Sequence, residues 1–162
     1  MSTDALVKVF FELDSNEWHA SHSESVWAQP INSAAPGVAE ILNTPFFAMN
    51  VSYRDIVRCK ISEDGGWDFS EIVSRSGHST YRIIPSAPDN PAFLDLIEQL
   101  AQTGCTYESG KRHGRPLYAF DLPPTADVER IFRLLEVGER DGNWVFEQGH
   151  YCPPAERSAA LQ

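Results

Sequence analysis

The sequence predicts an α+β fold: an N-terminal small antiparallel β-barrel or curled sheet, followed by a ferredoxin-like β-α-β-β-α-β unit. Three observations carry that expectation. As far as about residue 78, short runs alternate between apolar and polar residues and are separated by turn residues, the pattern of an all-β barrel. From Ser79 onward the period changes from 2 to 3.6 and back, twice, with helix-start residues at the changes. The chain has 162 residues, 42% apolar and 22% charged, enough for one fused domain or two small ones. The expected boundaries are residues 1–78 for the β part, 79–152 for the ferredoxin-like part and 153–162 for a flexible tail.

The elements follow in order. Leu6 to Leu13 places Val7, Val9, Phe11 and Leu13 on one face of a strand, and Ser25 to Ile31 is a second strand closed by Pro30. Gly37 to Leu42 is a third, ending in the turn Asn43-Thr44-Pro45. Phe46, Phe47, Met49 and Val51 are too apolar for a solvated loop and read as core. Asp55 to Ile61 and Trp67 to Arg75 pair across Ser62-Glu63-Asp64-Gly65-Gly66, a hairpin turn with two glycines free to take positive φ. Ser79 to Ser86 is the first strand of the second unit. Asn90 is placed to cap a helix with Pro91 at its first position; Phe93, Leu94, Ile97, Leu100 and Ala101 form its apolar face, and Gly104 ends it. Cys105 to Glu108 and Leu117 to Leu122 pair across the basic loop Ser109 to Arg115, the only basic cluster. Pro123-Pro124-Thr125 starts a second helix with Val128, Ile131, Phe132 and Leu135 inward and Gly138 as its stop. Trp144 to Gln148 is the last strand, and a frayed tail follows Cys152-Pro153-Pro154. The four tryptophans read as core or interface residues.

Charge and composition exclude several functions. The net charge is −10, which argues against nucleic acid or an anionic membrane as partner and suits a basic protein partner. The acids are spread evenly: 11 against 6 Lys and Arg in residues 1–85, and 12 against 7 in residues 86–162. No apolar run nears the roughly 18 residues of a membrane helix, and Met1-Ser2-Thr3-Asp4 is too polar for a signal peptide. A cytoplasmic location is expected. Cys59, Cys105 and Cys152 lack pair spacing, so neither a disulfide nor a zinc site is expected. His19, His22, His150 and Cys152 have no ligand spacing either, and no metal or cofactor is expected.

The densest polar cluster is Arg75-Ser76-Gly77-His78-Ser79-Thr80. Arg75, Ser76, His78 and Ser79 could form a Ser/His pair or an anion nest on Gly77. The elbow pattern G-x-S-x-G is absent, and no phosphate loop, metalloprotease motif or nucleic-acid-binding aromatic stripe occurs. The cluster reads foremost as a glycine-bearing crossover whose hydroxyls satisfy local backbone groups.

Three stretches then point to a family. Glu24-Ser25-Val26-Trp27-Ala28, Asn43-Thr44-Pro45-Phe46-Phe47-Ala48 running into Ser52-Tyr53-Arg54-Asp55-Ile56-Val57, and Arg75 to Arg82 together resemble the bacterial family known as domain of unknown function 4265. The resemblance covers roughly residues 6–150. It implies a bacterial, cytosolic protein and no established activity, cofactor or catalytic residue.

The expected function is non-catalytic protein binding, most concretely as an immunity-type inhibitor that neutralises a basic bacterial toxin or effector domain. That step is an analogy of size and charge. Candidate contacts are the turn acids Glu63, Asp64 and Asp68, and the acids Glu136, Glu139 and Asp141 at the end of the second helix. Carboxylates are unfavourable there, because the helix C-terminus already carries partial negative charge. The alternatives are a small-ligand binder or enzyme using a cleft near Arg75 and His78, and a regulatory interaction module.

Overall fold

The computed structural model describes residues 5–31 and 35–162; the polar start at Met1 to Asp4 lies outside them. Alternation in the first part produces strands β1 (Val7–Glu12), β2 (Ser23–Pro30), β3 (Val38–Ile41), β4 (Ile56–Ile61) and β5 (Trp67–Ser74). They form a closed barrel in chain order. Antiparallel pairing runs from β1 through β5, and the seam is a short parallel pairing of β1 with β5, Val9 opposite Trp67 and Phe10 opposite Asp68. Closure removes the exposed sheet edges. Val9, Phe11, Val26, Ala28, Ile41, Val57 and Cys59 fill the interior, with Trp67 and Phe69 packed against them.

The second part runs β6 (Ser79–Pro85), α1 (Pro91–Gln102), β7 (Thr106–Arg112), β8 (Arg115–Leu122), α2 (Val128–Arg140), β9 (Trp144–His150) and α3 (Pro154–Ala160). The sheet order β7-β8-β6-β9, antiparallel throughout, is that of the ferredoxin-like unit. Helices α1 and α2 cover one sheet face. Phe93, Leu96 and Leu100 of α1 and Val128, Ile131 and Leu135 of α2 pack on Tyr81, Ile83, Phe120 and Leu122. Asn90 caps α1 as expected, its side chain accepting from the Phe93 amide. Strand alternation turns Thr80 and Arg82 to the opposite face, where they meet the barrel loops.

Several local readings are corrected. Helix α2 starts at Val128, because Asp127 accepts from the Arg130 amide and residues 123–126 form a turn instead. Gly138 does not stop α2; it lies inside it, under the ring of Trp144. The basic loop shrinks to His113-Gly114, both at positive φ, since β7 and β8 pair right up to Arg112 opposite Arg115. Met49 and Trp27 are exposed rather than core, whereas Trp18 lies where the barrel meets the sheet, its Nε1 donating to Glu147. Residues 154–160 are a helix: Arg157 is buried, with Nη2 2.8 Å from Glu129 Oε1 of α2 and Nη1 donating to the Cys152 carbonyl. An ion pair holds this helix, so no apolar period announced it. The thiols of Cys59, Cys105 and Cys152 are free and buried. Burial pushes those of Cys59 and Cys152 up to about 11.

A candidate functional site where the barrel meets the sheet

The loop between β3 and β4 lies between the two layers and is held by charge from both. Glu24, on barrel strand β2, accepts three consecutive amides, from Phe46, Phe47 and Ala48, at 2.6, 2.8 and 2.7 Å. Arg82, on sheet strand β6 and 1% exposed, donates to the carbonyls of the same segment. Its Nη1 reaches Ala48 O at 3.0 Å and Pro45 O at 3.4 Å, and its Nη2 reaches Phe47 O at 3.0 Å. Amide ends thus face a carboxylate and carbonyl ends a guanidinium, so the loop's peptide dipoles are matched at both poles. Glu147 on β9 neutralises Arg82, 2.6 Å from Nη2. Gly149 lets the guanidinium through, since a Cβ there would sit 2.3 Å from Nη1. Glu108 on β7 holds the start of the loop through Asn43 Nδ2 and the Thr44 amide.

A second polar group lies beside it. Asp55, fully buried, accepts from the Ser52 amide, the Ser76 amide and Arg75 Nη1. Ser52 Oγ is 2.6 Å from Thr80 Oγ1 and 2.9 Å from His150 Nδ1. This serine–histidine contact joins positions 98 residues apart and involves a fully buried serine; no described cavity is lined by either residue. Its chemistry is that of a satisfied buried network, which fixes the two layers in register.

The sequence-derived cluster is used up by the same joint. Arg75 binds Asp55 and the Asn50 carbonyl, and Ser76 Oγ donates to the Tyr53 carbonyl. His78 Nδ1 is 2.8 Å from Asp121 Oδ1, and Ser79 Oγ accepts from the Cys152 amide. Burial pushes the Asp121 carboxyl up, and the His78 hydrogen bond pulls it partly back. Each of the four side chains is thus engaged by groups of the protein itself. The six candidate acids do not form one surface. Glu63, Asp64 and Asp68 are exposed on the β4–β5 hairpin of the barrel. Glu136, Glu139 and Asp141 are exposed at the end of α2, on the opposite face of the sheet, where Glu139 accepts from the Phe146 amide and Asp141 from Arg140. Among the described residues no group of His, Cys, Asp and Glu is arranged to hold a metal ion.

The sequence alone does not single out Glu24, Ser52, Arg82, Glu147 and His150 as site residues. The one signal was that Glu24 and Arg82 sit at the outer ends of the first and third motif stretches. The conspicuous runs thus converge on one loop.

The joint makes stability depend on pH. Burial first, and then the Arg75 charge, hold the His150 imidazole below its ordinary value of 6.5. The unfolded chain then binds the proton more readily than the folded one. The stabilisation is complete above the unfolded value and is lost as pH falls below it. His150→Gln is expected to flatten the loss between about pH 7 and about pH 5, measured by urea unfolding. A variant curve parallel to the wild type would refute it.

Comparisons with known proteins fit this architecture. No curated protein matches the chain. It is similar in structure to a protein from Neisseria gonorrhoeae described as "Novel crystal structure of a hypothetical protein", with a TM-score of 0.67 and 17% identity. That match covers 93% of this chain and 96% of the other, and at this identity it shows a shared fold. The family model matches residues 24–146, beginning on Glu24 and spanning both layers up to Phe146. The chain belongs to the family described as Domain of unknown function (DUF4265).

Proposed function

We propose that this chain is a non-catalytic, stoichiometric binding protein of the immunity type, which neutralises a basic toxin or effector domain in the bacterial cytoplasm. The observation that carries the reading is the face of the barrel at its β1–β5 seam. Phe10, 42% exposed, stands there beside Asp68. Together with Glu63 and Asp64 they line an open groove of about 610 Å³. An exposed aromatic with an acidic rim is the anatomy of a charge-steered interface. The Ser62 hydroxyl, and next the Gly66 amide, hold the Asp64 carboxyl below its ordinary value. Of the two acid sets this one is the better contact, because Glu139 is already engaged by the Phe146 amide of β9 and Asp141 by Arg140.

The test is binding to the product of the adjoining reading frame. A 1:1 complex is expected whose association slows about tenfold or more as salt rises from about 50 to about 500 mM. Glu63→Gln with Asp68→Asn, which leaves the turn-capping Asp64 in place, should lower the on-rate severalfold and leave the off-rate nearly unchanged. An on-rate indifferent to salt would remove the electrostatic part. Turnover of a small molecule that disappears in His78→Ala would overturn the non-catalytic reading.

A further inference from the structure

The barrel covers only part of the sheet face turned toward it. Beyond Arg82 the face continues as Ile84, Leu117 and Val145, and these line a cavity of about 440 Å³ walled by Trp18 and the tip of the β7–β8 hairpin. That volume lies in the usual range of small-molecule sites. Val145 is 49% exposed there.

The charge of this cavity is opposite to that of the chain. Arg82, Arg112 and Arg115 line it, against Glu147 alone. Glu147 is already occupied by Arg82 and by Trp18 Nε1, 2.5 Å away. Arg112 and Arg115 are directly opposed across the hairpin. Opposed residues of an antiparallel pair project on the same side, and like charges there repel. Among the described residues neither arginine pairs with a carboxylate. Arg112 Nε is moreover buried without an acceptor, which costs free energy unless something accepts from it. Its Nη2 is tied to the His19 carbonyl, and its guanidinium lies over the Phe47 ring, so the group is held in place at the cavity wall. Two unneutralised guanidinium groups beside an apolar floor match an anion on an apolar body. The planar fork of arginine suits a carboxylate's two oxygens.

We propose that this cavity binds a small amphipathic carboxylate, its acid group between Arg112 and Arg115 and its apolar part on Ile84, Val145 and Trp18. The site is independent of the acidic barrel face, and a chain could have either without the other.

The probe is 2-naphthoate, titrated by calorimetry against the full chain, with 2-naphthalenemethanol as the neutral match and inorganic phosphate as the bare anion. Saturable 1:1 binding of naphthoate is expected, about tenfold or more tighter than the alcohol, with phosphate displacing it poorly. Arg115→Met should weaken naphthoate about tenfold and leave the alcohol unchanged. Val145→Asp should abolish naphthoate binding. Both positions are exposed, and unchanged thermal melting confirms that the variants fold. No detectable naphthoate binding, equal affinity for acid and alcohol, or an Arg115→Met or Val145→Asp variant that binds like the wild type would overturn the proposal. Phosphate competing as well as naphthoate would overturn its amphipathic part.

Discussion

Replacing Arg82 by methionine is expected to destabilise the chain by about 3–5 kcal/mol, a fall in Tm of roughly 6–20 °C for a domain of this size. Substituting a whole buried ion pair by apolar groups is often nearly neutral. This case differs because three of the acceptors are backbone carbonyls, Pro45, Phe47 and Ala48, which no substitution can remove. They would stay buried without a donor, and Glu147 would keep an uncompensated charge. Arg82→Lys should recover little, since a single ammonium cannot reach both the loop and Glu147 with the span of a planar fork. Urea unfolding with an unchanged slope measures the loss. An Arg82→Met variant within about 1 kcal/mol of wild type would show that the loop is held by its own packing instead.

Gly138→Ala should destabilise, although helix propensity alone gives the opposite sign. In an exposed helix interior the exchange gains about 1 kcal/mol. Here the new methyl carbon would lie 1.8 Å from Trp144 Cζ2 and 2.2 Å from Cε2. The ring cannot step aside without losing the hydrogen bond from Nε1 to the Leu135 carbonyl at 3.0 Å. Overpacking of this kind costs about 1–3 kcal/mol, so the expected net is a lower Tm. The double variant Gly138→Ala, Trp144→Leu should be less unstable than the sum of the single changes, because the clash needs both partners. A Gly138→Ala protein with a raised Tm would show that Trp144 has room to move.

These two positions also show how far the sequence could be read. The order of strands and helices was legible because local periodicity determines it: Val9, Phe11 and Val57 alternate into one barrel, and Phe93 and Leu100 recur at helical spacing. Capping at Asn90 was legible for the same reason, its partner Phe93 being three residues away. Gly138 was misread as a stop because its role depends on Trp144, across a turn. Arg82 looks like an ordinary polar position on a strand, since its acceptors lie 33 to 65 residues away. The cluster Arg75 to Thr80 is legible as a crossover whose polar groups are satisfied locally, Ser76 Oγ donating to the Tyr53 carbonyl, whereas the Ser52 contact is not. The structure pairs Ser52 with His150, and no short motif can encode a pair 98 residues apart. Helix α3 was missed because Arg157, an ion-pairing residue, anchors it rather than an apolar stripe.

The clamp on the β3–β4 loop has a consequence for how the gene could be divided. The barrel and the sheet each have their own apolar core, which invites treating them as portable modules. Yet the loop belongs to the barrel in sequence while Arg82 and Glu108, which also hold it, belong to the sheet, and Arg82 in turn depends on Glu147 near the far end of the chain. A fragment cut at residue 78 would keep Glu24 and lose the Arg82 donors to the carbonyls of Pro45, Phe47 and Ala48. Recombination between relatives is therefore expected to exchange Glu24, the loop, Arg82 and Glu147 together.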